Sequence, residues 1–330
     1  MQSNFYDITV IGGGPVGMFA TFYAGLRDAK VQVIESLDRF GGQVAALYPY
    51  KTVLDIGGYA GISGKHLVHE LYKQMRAVQP DVKLGQAVLN IKPVRGGYQV
   101  ITNRSRTLTK AVIVSIGGGA FNPRKLMVPG ADHLEGKRLF YSVNDLKRFK
   151  GRAVLVAGGG NSAIDNALLL NQVAGQVYLL HRRNQFRGLE KMVDRLKTSS
   201  VKLVTPYLIR QLGETDDGKL LINAKKMRTA DVIKQIKVDD LVVNFGFIAN
   251  DRALRQWQLD LQESHRRLPV NSKMMTNQKN VYAVGDAATY PGKDTLIATG
   301  LGEVPVAVNA IMRSLYPRRL LPIHSTMLKK

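Results

Sequence analysis

The alternation of apolar and polar positions writes one unit twice along the chain. Residues 8–36 read ITVIGGGPVGMFATFYAGLRDAKVQVIES, and residues 153–182 read AVLVAGGGNSAIDNALLLNQVAGQVYLLHR. Each copy opens on a short apolar run, which predicts a strand buried on both faces. Three glycines follow, then an apolar stretch of helical length, a polar break and a second apolar run. The result is a strand–helix–strand pattern of about 30 residues, used twice.

The segments after each copy also match in outline. Val82–Ile91 and Tyr98–Thr102 predict antiparallel strands joined at Gly96-Gly97. Ala111–Ile116 predicts a buried strand running into Gly117-Gly118-Gly119. After the second copy, Val201–Thr205, Leu220–Ala224 and Val232–Val238 predict strands, and Leu241–Phe245 runs into Gly246. Near the end, Asn280–Val284 predicts a strand closing at Gly285-Asp286, and Gly302–Leu315 predicts a final helix. The tail thus returns to the theme of the first copy. The expected fold is α/β: two Rossmann-like, three-layer dinucleotide-binding domains, the second inserted in the first. The outer domain would take residues 1–117 and 246–330, and the inserted one 118–245.

The glycines give the pattern its chemistry. In Gly12-x-Gly14-x-x-Gly17, the first glycine permits a tight turn and the second lets backbone approach a pyrophosphate. The third lets helix and strand pack closely. Pro15 opens the helix, whose N–H groups and positive dipole end then face the phosphates. Glu35 follows 18 residues after Gly17, where an acid accepts both hydroxyls of an adenosine ribose. In the second copy the motif is Gly158-x-Gly160-x-x-Ala163, with Asn161 and Ser162 opening the helix. At the position corresponding to Glu35 stands His181, followed by Arg182, Arg183 and Arg187. A carboxylate there would repel a 2′-phosphate, whereas guanidinium groups bind it. The second site therefore reads as one for NADPH rather than NADH. The bland alternative is an exposed basic turn.

Composition narrows the chemistry further. The chain contains no cysteine, which excludes disulfides, thiolate metal sites, cysteine-held iron–sulfur clusters and a catalytic dithiol. Any redox chemistry must come from a bound cofactor. No metal site is read. Met1–Asp7 carries no secretory signal and no apolar run is long enough to span a membrane, so the expectation is a cytoplasmic protein. The net charge of +22 suits a phosphate-rich cofactor, an acidic protein or nucleic acid. The basic residues are scattered, with no helix or tail gathering them, which argues against nucleic acid.

At this point the chain resembles the two-dinucleotide-binding flavoproteins, and within them the low-molecular-weight thioredoxin reductases. One departure matters. Such a reductase carries a CxxC ahead of its second glycine motif, where this chain has Phe140–Asp145, FYSVND. What remains resembles the thioredoxin-reductase-like ferredoxin–NADP⁺ reductases. The stretches that carry the likeness are Gly41–Pro49 (GGQVAALYP), Gly119–Leu126 (GAFNPRKL), Leu296–Asn309 (LIATGLGEVPVAVN) and His324-Ser325-Thr326.

The resemblance implies FAD at the first glycine motif and at Gly285-Asp286, and NADPH/NADP⁺ at the second motif. It implies that Tyr48 and His324 stack on the two faces of the isoalloxazine. It places Glu35 on the adenosine ribose. Gln43, Val88, Phe121 and Thr326 would line the FAD site, with Asp286 on the ribityl or phosphate side. It implies a homodimer, since the family's C-terminal tail reaches the partner subunit's flavin, and an acidic acceptor, ferredoxin or flavodoxin. Two other readings stay open: an NADPH-dependent diaphorase, quinone or flavin reductase with a small acceptor, and a non-catalytic nucleotide sensor.

Overall fold

The run FYDITVI folds as strand β1 (Phe5–Ile11), paired in parallel on both sides, with β2 (Val31–Ile34) and β8 (Arg106–Val114). Such a strand has no wet face, which explains its apolar character. The computed structural model describes residues 5–229, 232–250, 254 and 256–319. The chain divides into two units, Met1–Phe121 with Ala249–Lys330, and Asn122–Ile248. Strands β9 (Ala120–Pro123) and β18 (Phe247–Asn250), which carry the two passages, pair with each other.

In the first unit, β5 (Asp81–Lys83) adds beyond β2, and β20 (Val281–Ala283) adds beyond the second half of β8. The five parallel strands run β5-β2-β1-β8-β20. The hairpin of β6 (Val88–Val94) and β7 (Gly97–Thr102) joins the first half of β8. Two small pairs complete the unit: β3 (Thr52–Val53) with β4 (Ile62–Ser63), and β19 (Leu268–Pro269) with β21 (Ala288–Thr289).

One face of this sheet, with Ile8, Val10 and Ile113, is covered by α1 (Pro15–Leu26), α3 (Gly64–Arg76) and α6 (Ile297–Leu315). The short helix α2 (Gly42–Leu47) lies between α1 and α3 in the chain. Ser63 caps α3 through the His66 N–H, and Leu67, Leu71 and Met75 form its buried stripe at four-residue spacing. Removing one such side chain costs about 2–5 kcal/mol. The other sheet face, with Ile11, Val112 and Val114, packs against Trp257, Leu259 and Leu268.

The second unit repeats the plan. Its parallel sheet runs β13 (Lys202–Val204), β12 (Gln176–Leu180), β11 (Ala153–Ala157), β17 (Asp240–Val243), β10 (Leu139–Phe140). Along β11 the faces alternate. Val154 and Val156 pack with Ile164 and Ala167 of α4 (Asn161–Leu170) and with Leu196 of α5 (Glu190–Lys197). Leu155 and Ala157 pack with a three-stranded antiparallel sheet of β14 (Tyr207–Glu214), β15 (Leu220–Lys226) and β16 (Ile233–Val238). This is the three-layer α/β architecture that the sequence predicts, present twice. Among the described residues, no helix is long and apolar enough to cross a membrane.

Three local expectations are corrected. Val82–Ile91 is not one antiparallel strand. Gly85, at φ +61°, turns the chain, so Val82 lies in the parallel strand β5 and Val88 begins β6. Strand β14 was not expected. Its buried Ile209 and Leu212 are three apart because a bulge at Arg210 interrupts the alternation. The last helix begins at Ile297 rather than Gly302. Gly300 belongs inside it because a Cβ there would lie 2.6 Å from Val16 Cγ2 and 3.0 Å from Gly285 Cα. That glycine serves close packing and does not break the helix.

Candidate cofactor-binding sites

The first glycine loop is shaped by contacts that leave no room for side chains. Gly12 takes φ +104°, and its N–H donates to the Ile34 carbonyl at 2.8 Å. A Cβ on Gly17 would lie 1.8 Å from the Gly12 oxygen, so only glycine lets α1 approach β1 this closely. Gly14 differs. A Cβ there would meet nothing within 4 Å, and as N-cap of α1 it offers no side-chain cap. The first N–H groups of α1 therefore face open space across a glycine. That is the cradle a pyrophosphate requires, and the loop fits a dinucleotide.

Glu35 stands directly after β2 and is 6% exposed. Its Oε2 accepts the Gly13 N–H at 2.6 Å, and its Oε1 accepts the Leu37 N–H at 2.8 Å and the Ser36 hydroxyl at 3.1 Å. The carboxylate is thus fixed against the middle glycine. The chain then returns to the loop, where the Gly41 N–H donates to the Gly13 carbonyl at 2.9 Å. Gln43 follows, its amide nitrogen 3.7 Å from where a Gly117 Cβ would stand.

Tyr48 closes α2 and is half-buried. Its phenol is pushed up to about 12, by burial first and then by the negative charges of Asp286 and Asp55. Tyr48 and Asp286, far apart in sequence, therefore share one neighbourhood. Val88 sits in the core, its carbonyl accepting Trp257 Nε1 at 3.4 Å. Phe121 lies in β9. His324 and Thr326 lie outside the described residues.

The second loop has the same backbone. The Gly158 N–H donates to the Leu180 carbonyl at 3.0 Å, and the Arg187 N–H to the Gly159 carbonyl at 2.7 Å. Gly160 caps α4 without a side-chain bond, while Asn161 Oδ1 accepts the Leu189 N–H at 3.0 Å. Ser162 is exposed on the first turn of α4. His181 follows β12 as Glu35 follows β2. Its ring is 8% exposed and lies against Gly159, where a Cβ would come within 2.2 Å of it. The ring also packs on Phe186, centroids 5.5 Å apart. Burial, then Arg182, Arg183 and Arg187, hold its pKa below the usual histidine value. Its Nε2 has no hydrogen-bond partner. The three arginines are exposed. The structure thus separates the His-Arg-Arg-x-x-x-Arg run into a buried ring beneath the loop and three exposed guanidinium groups.

Two residues near the first loop, Ser115 and Glu303, and one near the second, Asn244, fall outside the glycine motifs. Ser115, directly after β8, donates its hydroxyl to the Ile11 and Gly12 carbonyls at 2.9 and 3.0 Å. Its counterpart after β17 is Asn244, bonded to Asn166 at 3.0 Å. Glu303 accepts a hydrogen bond from the Gly285 N–H, at 2.7 Å. A lone acid within the apolar stretch of α6 was the available signal. Among the described residues, no group of histidines and carboxylates could hold a metal.

Residues 6–312 match the profile of the pyridine nucleotide-disulphide oxidoreductases. The chain belongs to that family. It is 49% identical over 325 residues to a protein named ferredoxin–NADP reductase from Pediococcus pentosaceus, covering 98% of each. It is 48% identical to one of the same name from Ligilactobacillus salivarius, covering all of this chain and 97% of the relative. Among solved structures, it resembles thioredoxin reductase from T. acidophilum (TM-score 0.80, 24% identity, 95% and 99% covered). It also resembles that of Lactococcus lactis (TM-score 0.77, 23% identity, 93% and 98% covered). At such identity these two speak for the fold alone. The oxidoreductase family is therefore established, while its disulphide chemistry has no cysteine here to perform it.

Proposed function

We propose that the protein is a cytoplasmic, homodimeric ferredoxin–NADP⁺ reductase that holds FAD in the first unit and NADPH in the second. The observation that carries this reading is the pairing of two glycine loops of one build with opposite chemistry beside them. Glu35 suits an adenosine ribose with free hydroxyls, whereas Arg182, Arg183 and Arg187 suit a 2′-phosphate. The names of the full-length relatives agree.

FAD held here would supply the redox chemistry that links a hydride donor, NADPH, to a one-electron acceptor such as ferredoxin or flavodoxin. The protein's residues bind and orient. The uncapped start of α1 receives the pyrophosphate, with Pro15 fixing its first turn. Glu35 takes the adenosine ribose. Gln43, Val88, Phe121 and Thr326 border the flavin, and Asp286 meets the ribityl or phosphate side. Tyr48 and His324 cover the two faces of the ring system. In the second unit, Gly158, Gly160, Asn161 and Ser162 present the start of α4 to NADPH. The net charge of +22 favours an acidic acceptor and makes its docking weaken with salt.

Anaerobic stopped-flow absorbance tests the proposal. Mixing with NADPH should bleach the flavin, NADH should do so far less, and oxidised ferredoxin should restore it. Bleaching without restoration would keep the two cofactors and transfer the acceptor role to a quinone or another small molecule. A protein that takes up no added FAD would overturn the reading at its first motif.

A further inference from the structure

Helix α6 buries an apolar face with one charged interruption. Glu303 lies there, 4% exposed, beside Gly300, Val304 and Ala307. Its carboxylate is held from three directions. Oε2 accepts the Gly285 N–H at 2.7 Å; Oε1 accepts the Tyr290 hydroxyl at 2.7 Å and pairs with the Lys293 ammonium. The Lys293 side chain is only 2% exposed, so both charges are out of water. A buried ion pair contributes little to stability beyond what an apolar pair of the same size would. Its effect here is on geometry.

That geometry concerns the Gly285-Asp286 turn. Gly285 takes φ +66°, and Gly300 abuts it closely enough to exclude a side chain. Val16, one residue past the start of α1, packs against both glycines. Through Gly285, Glu303 thus ties α6 to the turn whose next residue, Asp286, shares its neighbourhood with Tyr48. Tyr290 stays a donor to Glu303, its phenol pushed up to about 12 by burial and then by that carboxylate.

We infer that Glu303, with Lys293 as its countercharge and Tyr290 as its brace, is a positioning residue that presents the Gly285-Asp286 turn to the flavin. The inference rests on the proposal that FAD occupies the first unit. Glu303 and Tyr290 also line a cavity of about 490 Å³ with Met274, Thr299, Gly302 and Val306. Acetate is therefore the probe for the place beside this cavity that a truncated Glu303 would vacate.

The test is FAD titration of apoprotein, read by quenching of flavin fluorescence, with the visible spectrum and reduction potential of the reconstituted protein. Glu303→Gln and Tyr290→Phe should fold with unchanged circular dichroism. Glu303→Gln should bind FAD roughly tenfold more weakly, the value of one charge-assisted hydrogen bond, with a displaced reduction potential. Tyr290→Phe should move both in the same direction by less. In Glu303→Ala, acetate should recover part of the lost FAD affinity. Affinity, spectrum and potential unchanged in Glu303→Gln would overturn the inference, as would Glu303→Ala binding FAD like wild type. Wild-type apoprotein that takes up no FAD would instead overturn the underlying site.

Discussion

The two glycine loops are one scaffold carrying different chemistry. In each, the first glycine donates to the end of the second strand, at 2.8 Å from Gly12 and 3.0 Å from Gly158. In each, the chain after that strand returns to the middle glycine carbonyl, through Gly41 at 2.9 Å and Arg187 at 2.7 Å. In each, the residue directly after the fourth strand is polar and its N–H bonds back, Ser115 to Ile11 at 2.8 Å and Asn244 to Ala157 at 2.7 Å. The loops diverge at the residue packed on the middle glycine. Glu35 brings a charge and three hydrogen bonds; His181 brings a neutral ring with a bare nitrogen. In the proposed reading the shared backbone receives a pyrophosphate, and this one position, with the basic surface after it, separates the two nucleotides.

The largest effect should come from breaking the scaffold itself. Gly17→Val forces a side chain into the Gly12 carbonyl and should yield protein that unfolds at lower temperature and retains no FAD. Gly14→Ala is the control. Its Cβ meets nothing within 4 Å, so thermal unfolding of apoprotein should hold while FAD affinity falls. If both variants destabilise apoprotein equally, the distinction between packing and cradle glycines fails.

Next comes the basic surface. Arg182→Ala with Arg183→Ala should weaken NADPH binding by at least roughly a hundredfold, at about 1.5–3 kcal/mol for each charged hydrogen bond, and leave NADH nearly unchanged. Calorimetric titration decides this, and equal losses for both nucleotides would move the arginines from recognition to loop structure. Glu35→Gln should act on the first site alone, with FAD about tenfold weaker and NADPH unaffected.

The smallest effect concerns His181. Its folded-state pKa is lowered, so the unfolded chain binds the extra proton as pH falls below the ordinary value of 6.5. Stability contributed by the neutral ring is complete above that pH and declines below it, by at most one proton's slope. Thermal unfolding across pH 5–8 should show a shallower acid decline in His181→Phe than in wild type (the range being about that in which histidine titrates). Parallel curves would mean the ring carries no such cost.

What the sequence made legible depends on whether a contact falls inside a recognisable local motif. Gly12, Gly17 and Glu35 meet Ile34, Gly12 and Gly13 inside the first strand–helix–strand unit, where the glycine spacing marks them. Ser115 reaches back 103 residues to Gly12, and Glu303, only 18 residues from Gly285, sits in a helix that reads as plain core, so neither partner could be named from a local pattern. Strand β14 was hidden by its bulge, and the start of α6 by Gly300, which reads as a breaker but serves as a contact. For Gly285-Asp286 the turn was legible, but the buried ion pair behind it was not.

The fifth strand of each sheet enters from opposite ends of its unit. In the second unit it is β10, which precedes the unit's other parallel strands, and β17 completes the sheet within the contiguous stretch 122–248. In the first unit it is β20, which lies beyond the whole inserted segment. During synthesis from the N-terminus, the inserted unit is therefore expected to close its sheet while the outer one still waits for Val281–Ala283. Long-range pairing of that kind is slow to form. Ribosome-held chains ending just after Ile248 should protect Asn122–Ile248 from protease and leave the earlier segment open to it; equal protection of both would refute this order. The half of the protein begun first would then be the half finished last.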